Sequence, residues 1–246
     1  MTRSFAPITL DELVGEAALL TRLDRKYLLP AADLPGALER MPADVRMLEI
    51  DGRRAFAYRS VYFDTAGLDA YLAAARRRRR RFKIRIRTYL DTGQAFLEVK
   101  TRGTRGFTIK DRIAYAGDSA RLSPEGLAHT GSVLADAGIP ADGHEFRPVL
   151  ATFYRRTTLY VPSTGSRVTV DTDLAWTLPD GSTVRMPDTV IVETKTARAA
   201  SDVDRLLWSS GHRPCSISKY ATGLAALRPE LPANRWHPVL RRHFTR

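Results

Sequence analysis

The segment FKIRIRTYL places Lys83, Arg85 and Arg87 on one side of a strand and Phe82, Ile84 and Ile86 on the other. Like charges spaced two residues apart repel, at a cost on the order of a kcal/mol or less where solvent screens them. An anion lying between strands removes that cost. Arg offers a planar fork to phosphate oxygens, and Lys offers a point charge. Two other strand-like segments repeat a Glu-x-Lys spacing, Glu98-Val99-Lys100 and Glu193-Thr194-Lys195. On a strand each such pair shares one face, roughly 6.5–7 Å apart. A carboxylate so placed can hold a divalent metal while the lysine holds the phosphate that the metal neutralises. For one copy, a cross-strand ion pair is the stronger explanation. Two copies together with KIRIR weigh against it.

Other segments add to this inventory. Arg22, Asp24 and Lys26 share one face of a strand, as do Thr108, Lys110 and Arg112. Segment 153–158 turns either Arg155 or Arg156 inward, with Arg156 on the face of Tyr154. Segment 167–173 offers Arg167, Asp171 and Asp173, and Ser218-Lys219 stands where a strand gives way to a helix. The free N–H groups of that helix would add to an anion site. The cations are very unevenly divided. Of 39 basic residues only six are lysines: Lys26, Lys83, Lys100, Lys110, Lys195 and Lys219. In a chain that otherwise uses Arg, a retained lysine marks a place that needs an ammonium.

The chain has 246 residues, a net charge of +12 and 43% apolar residues, enough for a sizeable core. Its single cysteine, Cys215, excludes an internal disulfide and a cysteine-based metal knot. No apolar run reaches the roughly 18–20 residues that span a bilayer. The first twenty residues have no signal-peptide pattern, so the expected setting is cytoplasmic. The five histidines show no metal spacing, and phosphate-loop, dinucleotide and nucleophile-elbow motifs are absent. The three tryptophans are scattered, with no stacking platform for bases, which argues against nucleic acid. The run Arg76–Arg81 reads as the solvated basic end of a helix, peripheral to the chemistry.

These side chains need strands to position them. Periodicity predicts about eight strands: 22–29, stretches within 45–64 around a turn at Asp51-Gly52, 82–90, 94–100, 107–115, a hairpin of 147–161 and 166–176, and 189–195. Short helices are predicted over 31–41, 67–77, 120–138, 201–210 (with Ser201 or Asp202 as cap) and 219–228, with SISKY as a short strand before the last. The class is α+β. The strands pair an apolar face with a charged one. This fits an antiparallel eight-stranded β-barrel with a polar lumen and short helices packed outside. Residues 1–230 read as one domain and 231–246 as a basic C-terminal tail.

The ordered set RLDRKY, YRSVYFDT, KIRIRTY, LEVKTR, TIKDR, TFYRRTTLYV, RVTVDTDL, VIVETK and SISKY resembles the VTC-type polyphosphate polymerase domain. That domain belongs to the triphosphate tunnel metalloenzymes, related to the CYTH proteins. The resemblance implies transfer of a nucleotide γ-phosphate, typically from ATP, to a polyphosphate chain, with Mn²⁺ or Mg²⁺ as cofactor. It implies nucleoside triphosphate and polyphosphate as partners. It makes Lys26, Arg85, Arg87 and Lys219 the catalytic cations, with Lys100, Lys110, Arg156 and Lys195 as further phosphate ligands. Glu193 becomes the principal metal ligand and Glu98 a second. Related hydrolases open with Glu-x-Glu-x-Lys, whereas here the positions are Arg22, Asp24 and Lys26. One acid fewer means weaker activation of water, which favours transfer over hydrolysis. A metal-dependent triphosphatase on the same fold is the alternative. A non-catalytic polyanion binder using Arg76–Arg81 and the tail is another. The sequence leaves the oligomeric state open.

Overall fold

The computed structural model describes residues 4–16, 23–102, 108–140, 143–197 and 199–244. In chain order the elements are β1 (Ala6–Ile8), α1 (Leu10–Glu16), β2 (Leu23–Pro30), α2 (Leu34–Glu39), β3 (Arg46–Leu48), β4 (Phe56–Asp64) and α3 (Asp69–Ala75). Then come β5 (Phe82–Tyr89), β6 (Ala95–Arg102), β7 (Thr108–Ala114), α4 (Pro124–Asp136), β8 (Arg147–Val161), β9 (Ser166–Thr177) and β10 (Thr183–Met186). The chain ends with β11 (Thr189–Thr196), α5 (Asp202–Ser209), α6 (Lys219–Leu227) and α7 (His237–His243). Arg22 lies outside the described residues.

The main hydrogen-bonded strand order is β2-β11-β9-β8-β4-β5-β6-β7, with β1, β3 and β10 attached to this path. The eight predicted strands are therefore present and antiparallel where the register is given. The predicted barrel is not closed: among the described residues β2 and β7 are the two ends of the path. At β2 the free edge takes another neighbour. The backbone N–H of Cys215 donates to the Lys26 carbonyl at 2.7 Å. Residues 212–218 carry no regular element, and SISKY forms no strand of its own. The Asp51-Gly52 turn is present, with both residues at positive φ (50° and 72°) and two backbone bonds joining Ile50 and Arg53. It pairs only those two residues, because β3 bonds to β1 and β8 instead of to β4.

The chain divides into two compact units. The first comprises Met1–Phe56, Tyr154–Leu174 and Met186–Ser216. Its core takes alternate residues from four strands: Tyr27 and Leu29, Leu159 and Val161, Val168 and Val170, Val190 and Val192. Val203 and Leu207 of α5 cover this apolar face. Ser201 is the cap of α5: its hydroxyl accepts from the Asp204 N–H, and the Asp204 carboxylate accepts from the Ser201 N–H at 2.7 Å. The buried Asp204 also receives the Tyr27 and Thr194 hydroxyls, each at 2.6 Å, which ties α5 to β2 and β11.

The second unit comprises Ala57–Phe153, Ala175–Arg185 and Ile217–Arg246. Ile84, Ile86, Leu97 and Val99 are fully buried on one face of β5 and β6. Each such burial is worth about 1.5–3 kcal/mol. The cover is α4, capped by Ser123 and started by Pro124. Gly126 permits the close approach, since a Cβ there would lie 3.3 Å from Leu97. The segment read as a tail carries α7, with Trp236 and Val239 buried and the Trp236 ring tilted against Tyr71 at 5.7 Å between centroids. No helix among the described residues is long and apolar enough to cross a membrane.

Candidate phosphate-binding faces

In the first unit, strand alternation sends the core residues to one side and a second set to the other. Cross-strand register aligns that second set. Glu193 stands opposite Lys26 and Thr169, and Lys195 stands opposite Asp24 and Arg167. Asp171 follows Thr169 on the same side of β9, opposite Ile191. Arg156 on β8 clamps Asp171 bidentately, through Nε at 2.6 Å and Nη2 at 2.8 Å. The choice between Arg155 and Arg156 is thereby made, for Arg155 is exposed. Asp173 leaves this face: its φ of 53° breaks the alternation and its side chain is exposed. Lys195 Nζ lies 3.5 Å from Glu193 Oε1. Burial pushes Lys195 down to about 8, with Arg156 and Arg167 adding to the shift and Glu193 opposing it. Burial works against the Arg156 charge too, but Asp171 overrides it and holds the guanidinium protonated. Thr169 Oγ1 is buried with no hydrogen-bond partner among the described residues. Lys26, Arg156, Glu193 and Lys195 therefore share one sheet face.

In the second unit, β4 to β7 build cross-strand rows. Ser60 faces Arg87, and Tyr62 faces Arg85. Arg85 is opposite Glu98, which is opposite Arg112. Lys83 is opposite Lys100, which is opposite Lys110, so three of the chain's six lysines form one row. Glu98 is buried among cations. Arg85 grips its Oε2 through Nε at 2.8 Å and through Nη2, Lys110 Nζ lies 3.5 Å from Oε1, and Arg87 Nη1 lies 3.9 Å away. Burial raises the Glu98 pKa, and the charges of Arg85, Arg87, Lys110 and Lys100 more than reverse this, leaving it well below the usual carboxylate range. Burial drives Lys100 far below its ordinary value, helped by Arg85, Arg87 and Lys83. Lys110 shifts the same way, again chiefly through burial. Arg87 Nε and Ser60 Oγ, on facing residues, are both buried without a hydrogen-bond partner among the described residues. Buried donors left so are costly unless a ligand meets them.

Lys219 is the first residue of α6, and this helix is tied to the same unit's charged face. Lys83 Nζ donates to Ser218 Oγ at 3.1 Å, and Ser218 caps α6. Trp176 Nε1 donates to the Lys219 carbonyl at 2.7 Å. Below it, Tyr220 donates to the buried Asp64 carboxylate, which also accepts the N–H groups of Thr65, Ala70 and Tyr71. Tyr220 stacks on Tyr62, and Tyr62 accepts a bond from Arg85 at 3.2 Å. Sequence reasoning passed over Ser60, Tyr62 and Asp64. Their two-residue spacing in YRSVYFDT was the available signal.

Among the described residues no group of three or more His, Cys, Asp or Glu is arranged to hold a metal. Glu98 is occupied by Arg85, and Asp171 by Arg156. Glu193, opposite Thr169 and Lys26 and 3.5 Å from Lys195, could hold a cation that shares its coordination with phosphate oxygens and water. A hard divalent cation of the Mg²⁺ type binds in that manner, through one or two carboxylates.

The sequence matches the VTC domain family over residues 21–228, and the chain belongs to that family. Among solved structures, one similar fold is that of an adenylyl cyclase candidate from Hippeastrum, described as having a dominant triphosphatase activity. Its TM-score is 0.50 at 18% identity, over 87% of this chain and 100% of that one. A conserved hypothetical protein of Pyrococcus furiosus matches at 13% identity and TM-score 0.39, over 78% of this chain and 88% of its own. No curated protein matches the sequence.

Proposed function

We propose that the protein binds triphosphate and polyphosphate on these cationic faces and transfers the γ-phosphate of a nucleoside triphosphate such as ATP to a polyphosphate chain. The lysine row Lys83–Lys100–Lys110 carries this reading. Like charges directly opposite one another destabilise a sheet. Here the row is held in place although burial already pulls Lys100 toward its neutral form. A phosphate chain supplies the charge that reverses this. Arg85 is fixed by Glu98 and Tyr62, so its guanidinium meets the ligand without reorganising. The orphan Arg87 Nε and Ser60 Oγ would bond phosphate oxygens. On the other unit, Lys26, Lys195 and Arg156 would hold phosphate beside Glu193. A Mn²⁺ or Mg²⁺ held by Glu193 would neutralise the charge of the transferring group.

A second reading is a metal-dependent triphosphatase on the same fold. The activity described for the Hippeastrum protein supports it. The scarcity of carboxylates on both faces supports transfer, because activating water needs a base or a metal-bound hydroxide. Incubation of the purified protein with ATP and Mn²⁺, with polymer and free phosphate measured separately, distinguishes them. Transfer predicts polymer growth with little free phosphate. Phosphate release from ATP or tripolyphosphate without polymer would sink it.

A further inference from the structure

The charged face of β5–β7 does not end at the lysine row. Phe82 pairs with Thr101, so Arg81 and Arg102, one residue further along each strand, stand side by side beyond Lys83 and Lys100. Alternation gives them the same side as those lysines. The acid of this face, Glu98, lies in the row on the far side of the lysines, so positive charge accumulates toward Arg81 and Arg102. Two more arginines reach this end. Arg77 follows the C-cap of α3, Arg76, with a φ of 53°. Arg235 adjoins Trp236, whose ring packs on Tyr71 of α3, while the Tyr71 hydroxyl donates to the Pro232 carbonyl at 3.2 Å. Burial lowers the Arg81 and Arg235 pKa values; the charges of Arg102 and Arg235 lower Arg81 further, and those of Arg77 and Arg102 lower Arg235, as expected for guanidinium groups gathered closely. The run Arg76–Arg81 thus divides by burial and by neighbours: Arg76 to Arg80 are exposed and Arg81 is half-buried, while Arg77 and Arg81 are the members whose charges meet Arg235.

We propose that Arg77, Arg81, Arg102 and Arg235 form an accessory site for the distal phosphates of a polyphosphate chain whose near end lies on the lysine row. This rests on the phosphate-binding reading of that row and extends it to chain length. Successive rows stand roughly 6.5–7 Å apart, a spacing that a flexible linear polyanion follows. Nucleic acid fits less well. The rings beside the cluster, Tyr71, Phe82 and Trp236, are buried and offer bases no stacking surface.

The test compares the full chain with its Arg77→Gln/Arg81→Gln/Arg102→Gln/Arg235→Gln variant, titrated with tripolyphosphate and with long-chain polyphosphate over a range of salt. Long-chain affinity should fall at least about tenfold and its dependence on salt should become shallower. Tripolyphosphate affinity should stay within about twofold, and the matching Arg→Lys variant should keep long-chain binding. Equal losses for both ligands, or none for either, would overturn the accessory site. So would duplex DNA displacing long-chain polyphosphate at lower concentration than polyphosphate displaces itself. Wild-type protein that ignores tripolyphosphate yet binds long chains would overturn the reading of the lysine row instead.

Discussion

Glu98 sets the electrostatics of its whole face. It is buried, and its carboxylate is the counter-charge for Arg85 while drawing on Arg87 and Lys110. Glu98→Gln removes the counter-charge of the buried Arg85 guanidinium. We expect a loss of about 3–5 kcal/mol in chemical denaturation, with Arg85→Met/Glu98→Leu losing less than the two single changes combined. Lys195 yields a pH prediction. Its pKa of about 8 in the folded chain lies below the ordinary 10.5. Between those values the unfolded chain binds the proton more readily, so stability rises with pH across this window and is flat below it. Denaturation midpoints from pH 7 to 10 should show the rise, and Lys195→Met should remove most of it. The lysines stood out from composition alone, because an arginine-rich chain keeps so few. Their partners did not. Whether Glu98 serves an arginine or a metal depends on which residue lies opposite, and register is a property of paired strands.

At the scale of elements, α6 packs most tightly against Trp176. A Cβ on Gly223 would lie 2.0 Å from the Trp176 ring, and the same indole bonds the Lys219 carbonyl. Gly223→Ala should cost about 1–3 kcal/mol in thermal or chemical denaturation and weaken phosphate binding through displacement of Lys219. In the other unit Asp204→Ala strips the Tyr27 and Thr194 hydroxyls of their acceptor and α5 of its capping box. A loss of about 2–4 kcal/mol in denaturation is expected. Long strands such as β5, β6 and β8 announced themselves by alternation over many residues. β1 and β10 span three or four residues, too few to show a period, and so went unforeseen, whereas β3 falls in the stretch expected before the Asp51-Gly52 turn. The open edge at β2 was hidden for another reason: Cys215, in a segment with no strand pattern of its own, bonds the Lys26 carbonyl there.

For the molecule as a whole, the split of charge matters more than its total. All six lysines lie on the charged sheet faces or at the start of α6, each face backed by an apolar core. The faces were foreseeable because their residues alternate with Ile, Leu and Val. The division into two units, each carrying its own set of cations, was not, because β8 and β9 read as continuous strands yet run from one unit into the other. The role proposed for these cations is to bind phosphate chains. Isothermal titration of tripolyphosphate into the wild type and Arg87→Met, with Mg²⁺ present, tests it directly. Removing the orphaned Arg87 donor should weaken binding at least about tenfold, by analogy with charge-assisted bonds worth about 1.5–3 kcal/mol. Equal affinity in the two proteins, or no binding by the wild type, would contradict it.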